Sequence, residues 1–335
     1  MRAYVMQRYG DASGSQVTEV ADPPSPGPGK VLVAIEAAGL NPVDFKFRNG
    51  DLRPIMRPAL PIVLGNEIAG RVLAVGTGVD RFAPGDRVFA RLAKDGGGAF
   101  AERALVGADI LAHAPVSVDA VTAAAVPLAG LTALQALRDV LALQPGQRVL
   151  ISGGAGGVGG FAIQIAKWLG AHVTTTASAR GAGLVRDLGA DAVIDYTTDR
   201  IDAHPRDFDA GFDLIGGDTL RQMFRVVKPG GRVVSVADMP EPQTALQDLG
   251  GRRGLAALFW LASLGVRAAA RRAGVGYRYL FMRPDAKGLA LLARLIDDGT
   301  LRVIIDRTFP LDQAPAALAY LETGRAKGKV VLTLA

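Results

Sequence analysis

Cysteine is absent from the 335 residues, and the three histidines, His113, His172 and His204, are scattered along them. Without thiols the chain can form neither a disulfide nor a thiolate nucleophile. It also lacks the ligand that zinc sites use most, so no metal site is expected. Aromatic residues are sparse at 6% and do not interleave with the basic groups, which argues against a nucleic-acid surface. The N-terminal MRAYVMQRYG carries no apolar run of the kind a secretory signal needs, and cytoplasmic residence is the default expectation.

What is present is a soluble globular composition, 49% hydrophobic and 21% charged, in a chain too long for one ordinary core. Two domains are expected. The net charge of +6 suits nucleic acid, a membrane surface or a polyanionic cofactor, so its location decides more than its size. Most arginines are dispersed. The one dense group is Arg252, Arg253, Arg267, Arg271 and Arg272.

The most informative stretch is RVLISGGAGGVGGFAIQIAK, from Arg148 to Lys167. Val149, Leu150 and Ile151 read as a short buried strand, and Phe161, Ile163, Ile165 and Ala166 as a helix packed on both sides. Between them Gly154, Gly156 and Gly159 form G-x-G-x-x-G where a dinucleotide site needs it. The first glycine is read as permitting the turn, the second as letting the backbone approach a pyrophosphate, and the third as letting helix and strand pack closely. The helix N-terminus, at Gly157 and Val158, offers unpaired N–H groups to the phosphates. A βα turn without a ligand is the alternative reading, and the strand before and helix after count against it.

Taken in order, residues up to about 110 read as short strands separated by Gly and Pro, an all-β module. Residues 119–143 turn helical, with Leu128, Leu131, Leu134 and Leu137 at helical spacing. After the glycine turn, HVTTTAS, DAVIDY, Asp209 to Leu214 and Gly230 to Val236 supply strands that alternate with helices, the pattern of a parallel doubly wound sheet. Beyond it, LALLARLIDDG, RVIIDRTFPL, APAALAYLETG and KVVLTLA are expected to return to the N-terminal module and close it. The expected division is 1–123 plus 286–335 for one domain and 124–285 for the other.

The order of landmarks resembles the zinc-free quinone oxidoreductase branch of the medium-chain dehydrogenase/reductase superfamily, including zeta-crystallin-like quinone reductases and enone reductases. Asn41-Pro42-Val43-Asp44, Leu64-Gly65-Asn66-Glu67, Pro84-Gly85-Asp86-Arg87-Val88, Gly98-Ala99-Phe100-Ala101-Glu102 and the segment from Pro127 to Ala133 stand ahead of the glycine turn in family order. Leu188-Gly189-Ala190-Asp191, Lys228-Pro229-Gly230-Gly231 and Gly328-Lys329-Val330-Val331-Leu332 follow it. The resemblance implies an α/β fold in which a Rossmann doubly wound parallel sheet is inserted in a GroES-like β-rich catalytic domain. It places the zinc ligands of the related alcohol dehydrogenases at Asn41 and Asn66, and their structural zinc lobe is missing after Leu92.

An enzyme that uses NAD normally ends its second strand in Asp or Glu, which holds the ribose 2′-hydroxyl. Here that strand runs into Ser178-Ala179-Arg180, a hydroxyl and a guanidinium suited to a 2′-phosphate, so NADPH is the expected cofactor. The resemblance adds Tyr196 near that phosphate, Thr132 near the nicotinamide, and Ile215, Gly216, Val236 and Ala237 facing the nicotinamide ribose. Lys329 reads either as a cofactor neighbour or as a solvated lysine on a strand edge.

The implied reaction is hydride transfer to a quinone or an α,β-unsaturated carbonyl without a metal, and the developing negative charge then needs donors in the cleft. Asn41 is the first choice as oxygen donor by the resemblance, and Lys46 is a second candidate. Asp44 and Glu67 read as structural acceptors. The rival reading is an NADPH-binding sensor or structural, crystallin-like protein with little turnover.

The segment from Pro240 to about Gly276 has no counterpart in these motifs. Its apolar part, Leu255 to Val266, is shorter than the roughly 20 residues of a membrane span. As a basic amphipathic element, 255–272 can rest on an anionic bilayer, and the sequence favours instead a cover for the cleft or a subunit interface. Tyr277 to Met282 reads as the edge strand of the sheet, and the resemblance implies that it pairs with a second copy in a homodimer.

Overall fold

The computed structural model describes residues 1–93 and 98–334. They form two compact units, Met1–Leu131 with Pro284–Ala335, and Thr132–Arg283. The divisions fall at 131/132 and 283/284, not at 123/124 and 285/286.

In the first unit β1 (Arg2–Met6) pairs antiparallel with β2 (Ser15–Glu19). The strand β3 (Lys30–Leu40) is followed at once by α1 (Pro42–Asn49), then by β4 (Ile62–Val63), β5 (Glu67–Val75), β6 (Arg87–Arg91), β7 (Arg103–Gly107) and β8 (Leu111–His113). The first half of β3 alternates buried and half-buried residues, as an antiparallel strand with one face on the core must. Its last four residues are all buried, because α2 (Ala120–Ala124) packs there against β3 and β5. That packing holds 120–124 to the first unit and moves the division along the chain. The single helical stretch expected over 119–143 is in fact broken, with α3 (Pro127–Leu134) starting afresh at a proline that has no N–H to continue a helix.

The second unit begins its sheet with β9 (Arg148–Ile151), α4 (Gly157–Trp168), β10 (His172–Ala177), α5 (Ala179–Asp187) and β11 (Ala192–Asp195). It continues with β12 (Phe208–Asp213), α6 (Gly217–Val226), β13 (Val227–Ser235), the helices α7 (Arg253–Ala262) and α8 (Leu264–Arg272), and β14 (Gly276–Tyr279). All six strands are parallel in the order β11-β10-β9-β12-β13-β14. This is the doubly wound arrangement, and the strand order reverses between β9 and β12, where open sheets of this kind bind ligands at the carboxyl ends of their strands. The edge strand is shorter than expected, ending at Tyr279.

The chain then returns to the first unit through α9 (Ala286–Asp297), β15 (Ile305–Pro310), α10 (Ala314–Glu322) and β16 (Lys329–Thr333). The strand β16 pairs antiparallel with β3, Val330 opposite Leu40, while β15 lies parallel on its other side. Tyr4, Met6, Val33, Ile68, Val88, Phe100, Leu318 and Leu332 belong to one continuous core. The N-terminal and C-terminal segments thus share a single apolar interior.

Candidate active site

In the second unit the glycine turn is built as an anion cradle. Gly156 caps α4 with no side-chain hydrogen bond, and the first intrahelical bond runs from Gly160 N–H to the Gly156 carbonyl, 3.0 Å. The amides of Gly157, Val158 and Gly159 therefore have no helical acceptor and face an incoming anion at the positive end of the helix dipole. The residue in the left-handed region is Gly153, φ 67°, so it makes the turn and corrects the role expected of Gly154. Gly154 is needed for another reason, since a Cβ there would run into Thr175 of β10. A Cβ on Gly159 would lie 2.7 Å from Gly154 Cα, so the third glycine lets α4 approach the turn itself, whereas the role expected of it was the packing of helix on strand. At Gly156 a Cβ would meet only the Gly153 carbonyl, at 3.4 Å, so that face of the turn is open.

Ser178 caps α5 without a side-chain cap bond, an unusual choice for a serine at that position, and its hydroxyl remains available. Arg180 is exposed in the first turn of the same helix. The nearest strand-end carboxylate, Asp195 on β11, already accepts from the Thr197 N–H at 3.0 Å and the Thr197 hydroxyl at 2.7 Å. Tyr196 beside it is exposed, and Thr132 is buried in α3.

Sequence reasoning missed the group that sets the neighbouring loops. Asp213, fully buried at the end of β12, accepts from the hydroxyls of Ser152 at 3.0 Å and Ser235 at 2.7 Å, and from the amides of Ile215 and Gly216. The Ser152 hydroxyl accepts in turn from Leu214 N–H, and that of Ser235 from Ala237 N–H. One carboxylate thus ties the carboxyl ends of β9, β12 and β13 together and fixes Ile215, Gly216, Val236 and Ala237 at the switch point. Its signal in the sequence is an aspartate that ends a strand three residues before a glycine pair.

The first unit holds a second, charged constellation. Four neighbouring strands contribute to it, because the register sets Glu67 of β5 opposite both Gly39 of β3 and Arg91 of β6, while β16 brings Lys329 beside the end of β3. The Lys329 ammonium donates to Glu67 Oε1 at 2.7 Å, Asn41 Oδ1 at 2.5 Å and the Leu40 carbonyl at 3.0 Å, which uses all three of its protons. Glu67 Oε1 also accepts from Asn41 Nδ2 at 2.6 Å, and its Oε2 accepts from Leu128 N–H at 2.6 Å. A Cβ on Gly39 would fall 2.7 Å from Glu67 Cδ, so only glycine leaves room for this carboxylate.

Asp44, at the third position of α1, accepts from Asn41 N–H at 2.7 Å and from Asn66 Nδ2 at 2.5 Å. Burial pushes its carboxyl up to about 6 against the pull of these two donors, and the nearby Glu67 charge adds to the rise. Burial also pushes the Arg91 guanidinium down to about 10. Two carboxylates and two cations, all buried, balance in charge.

These positions settle the readings left open by the sequence. Lys329 is neither solvated nor on a strand edge, since it is buried on a strand paired on both sides. Asn41 is only 2% exposed with both ends of its amide engaged, whereas Asn66 is half-buried and binds Asp44 through a single amide proton. Lys46 lies on the exposed face of α1.

Parts of the chain match two family models, the alcohol dehydrogenase GroES-like domain over residues 27–116 and the zinc-binding dehydrogenase over 188–332. It is 34% identical to the mitochondrial NAD(P)H oxidoreductase RTN4IP1 of Danio rerio, over all of this chain and 91% of that protein. It is 33% identical to the chloroplastic quinone-oxidoreductase QR1 of Triphysaria versicolor, over 99% of this chain and 98% of the relative. The Escherichia coli quinone oxidoreductase, solved in complex with NADPH, superposes over the whole of both chains with a TM-score of 0.84 at 25% identity. The chain belongs to the quinone oxidoreductase branch of the medium-chain dehydrogenase/reductase superfamily.

The zinc in one model's description does not suit the residues of this family member. Among the described residues no three of His, Cys, Asp and Glu come together as a metal site. At the first of the two implied ligand positions the Asn41 oxygen takes the Lys329 ammonium, and at the second Asn66 is an amide, a weak zinc ligand. The stretch after Leu92, where the superfamily's zinc-dependent members carry a metal lobe, runs partly through 94–97, outside the described residues.

Proposed function

We propose that this medium-chain oxidoreductase transfers hydride from NADPH to a quinone without a metal. The observation that carries the reading is the pairing of the open, uncapped N-terminus of α4 with a second strand, β10, that runs into Ser178 and Arg180 at the start of α5 in place of a carboxylate. The relatives named for quinone and NADPH support it.

When bound, NADPH would supply two electrons as hydride to the quinone, which with one proton from water becomes the hydroquinone. The amides of Gly157, Val158 and Gly159 hold the pyrophosphate. Ser178 donates to the 2′-phosphate and Arg180 pairs with it. The loops tied by Asp213 position the nicotinamide half.

The oxygen that gains charge needs a donor that is accessible and held in place. Asn66 takes that role in preference to Asn41, for it is half-buried and Asp44 orients its amide through one proton. Lys46, two residues beyond Asp44 on the exposed face of α1, can relay a proton from water.

The testing experiment follows NADPH oxidation by the metal-depleted protein with a para-quinone and a linear enone in parallel. Rapid loss with the quinone and a hydroquinone product are expected. Tight NADPH binding without turnover on either acceptor overturns the reading, and preference for the enone turns it to double-bond reduction.

Two substitutions sharpen it. Arg180→Ala is expected to raise the KM for NADPH about tenfold, the worth of one charged hydrogen bond, with little change for NADH. Equal effects on both cofactors would reject the 2′-phosphate assignment. Asn66→Ala is expected to lower kcat about tenfold while the NADPH dissociation constant stays put. A kcat like that of the wild type would return the donor role to Asn41 or to water.

A further inference from the structure

The helices α7 and α8 present a surface that the proposed reaction does not use. Leu255, Ala256 and Phe259 face inward on α7, and Val266 and Ala270 of α8 pack into the core formed with Phe224 and Val227. The outer face is also apolar. Leu258 is 50% exposed, Trp260 48%, Leu261 60% and Leu264 44%, and Ala257 and Ala262 are exposed between them. No helix among the described residues is long and apolar enough to cross a membrane.

The base of this element is fixed. Arg278 of β14, 7% exposed, donates to Glu241 at 2.8 Å, to Thr244 at 2.9 Å and to Asp248 at 2.7 Å, which pins the segment leading into α7. The Ser263 hydroxyl donates to the Phe259 carbonyl at 2.6 Å at the joint between the two helices. The apolar face is therefore held outward by its own scaffold, and burial of these side chains against a partner is worth roughly 25 cal/mol per Å².

Charge decides between partners. No acidic residue occurs between Asp248 and Asp285, while Arg252 and Arg253 are exposed at the start of α7, Arg271 and Arg272 are exposed at the end of α8, and Arg267 is half-buried between them. Arg271 and Arg272 sit in the last turn of α8, where the helix dipole favours a cation. Arg252 and Arg253 sit at the first positions of α7, where it does not, and no acidic residue stands in that first turn. An external anion at this end would offset the dipole and pair with the exposed Arg253. Arg267 lies over the Trp260 ring at 6.0 Å, so cationic and aromatic groups meet on the same face. A second copy of the chain docked face to face would bring arginine against arginine, which disfavours a two-fold interface here.

We propose that the α7–α8 face is a docking surface for an anionic lipid bilayer, with Leu258, Trp260, Leu261 and Leu264 entering the headgroup boundary and the flanking arginines on lipid phosphates. The element lies on the surface and does not span it, as a short basic amphipathic helix with an aromatic at the interface is suited to do. The proposal stands apart from the choice of electron acceptor.

The test is co-sedimentation of the full-length protein with vesicles of phosphatidylcholine and phosphatidylglycerol in equal parts, and with phosphatidylcholine vesicles alone. Binding to the anionic vesicles is expected, with at least about tenfold weaker partition to the neutral ones and release as salt rises. The double substitution Leu258→Ser/Leu261→Ser is expected to weaken anionic binding about tenfold or more. Arg252→Gln/Arg253→Gln is expected to weaken it and to flatten its salt dependence. NADPH binding serves as the folding control and stays unchanged in all variants. Failure of the wild type to sediment with anionic vesicles, or sedimentation of the serine variant equal to wild type, overturns the proposal. So does a dimer, seen by analytical ultracentrifugation, that the serine substitutions dissociate, for that assigns the face to a second copy.

Discussion

Replacing Lys329 with methionine is expected to cost about 3–5 kcal/mol of stability, the usual penalty for leaving one partner of a buried ion pair alone. Glu67 is fully buried and would keep only two neutral donors, Asn41 Nδ2 and Leu128 N–H, once the ammonium at 2.7 Å is gone. Asn41 Oδ1 and the Leu40 carbonyl would each lose a charged donor at the same time. Methionine fills much the same volume, so the loss is electrostatic and not one of packing. The double variant Glu67→Gln/Lys329→Met is expected to recover part of it, because a neutral amide removes the unpaired charge. Urea unfolding followed by far-ultraviolet circular dichroism reads the effect. Tryptophan fluorescence serves as the contrast, since Trp168 and Trp260, the chain's two tryptophans, both lie in the second unit. A loss below about 1 kcal/mol would mean that the lysine behaves as a solvated surface charge.

That lysine also shows where a linear reading stops. Lys329 and Glu67 are 262 residues apart, and nothing local to either marks them as partners. Their meeting depends on β16 finding a place between β15 and β3, whereas the last strand of a chain reads naturally as an edge. The parallel sheet was legible because its evidence is local: short apolar runs, helical periods between them, and a glycine turn between strand and helix. Even there the motif misplaced one role. G-x-G-x-x-G matched from Gly154, but the positive φ belongs to Gly153, and whether a glycine serves its own dihedral or a neighbour's side chain is set by β10 across the turn.

The helical stretch before that turn is helical as expected but divided, for a reason that was in plain view. Pro127 cannot continue a helix, so α2 ends and α3 begins, and the short α2 is free to pack on β3 and β5 over the charged cluster. Asp213 was missed for the opposite reason. It reads as an ordinary strand end until Ser152 and Ser235, each on an adjacent strand, are seen to donate to it.

The second large effect is a dependence on pH carried by Asp44. Its carboxyl sits at about 6 in the fold against 3.8 in a free chain, raised chiefly by burial. A carboxyl that holds its proton more tightly when folded stabilises the fold fully below the unfolded value and loses that contribution as pH rises through the folded one. The change is about 3 kcal/mol between roughly pH 4 and pH 7. Carboxylates such as Asp191, which Lys167 holds below the usual range, and Asp209, which the Arg148 N–H and Lys228 hold there, act in the opposite sense. The measurement is therefore the difference between wild type and Asp44→Asn in urea midpoints across that range. The wild type's advantage over the variant is expected to shrink by about 3 kcal/mol from pH 4 to pH 7, and a constant or widening gap would refute the assignment.

The groups facing Asp44 give this titration a consequence for the reaction. The Arg91 guanidinium, pushed down to about 10, keeps its charge over this range while Asp44 takes up its proton. Both of its oxygens accept hydrogen bonds in the structure, from Asn41 N–H and Asn66 Nδ2, and a neutral carboxyl holds these donors more weakly than the carboxylate does, most of all at the oxygen that carries the proton. The Asn41 amide is fixed by the backbone at the start of α1, and the Asn66 side chain can rotate. Below about pH 6, Asn66 is then the group that loses its anchor, and kcat for quinone reduction is expected to fall while NADPH affinity holds. The Asp44→Asn variant should be impaired at every pH and show no such step, which separates a positioning role for Asp44 from general loss of the fold.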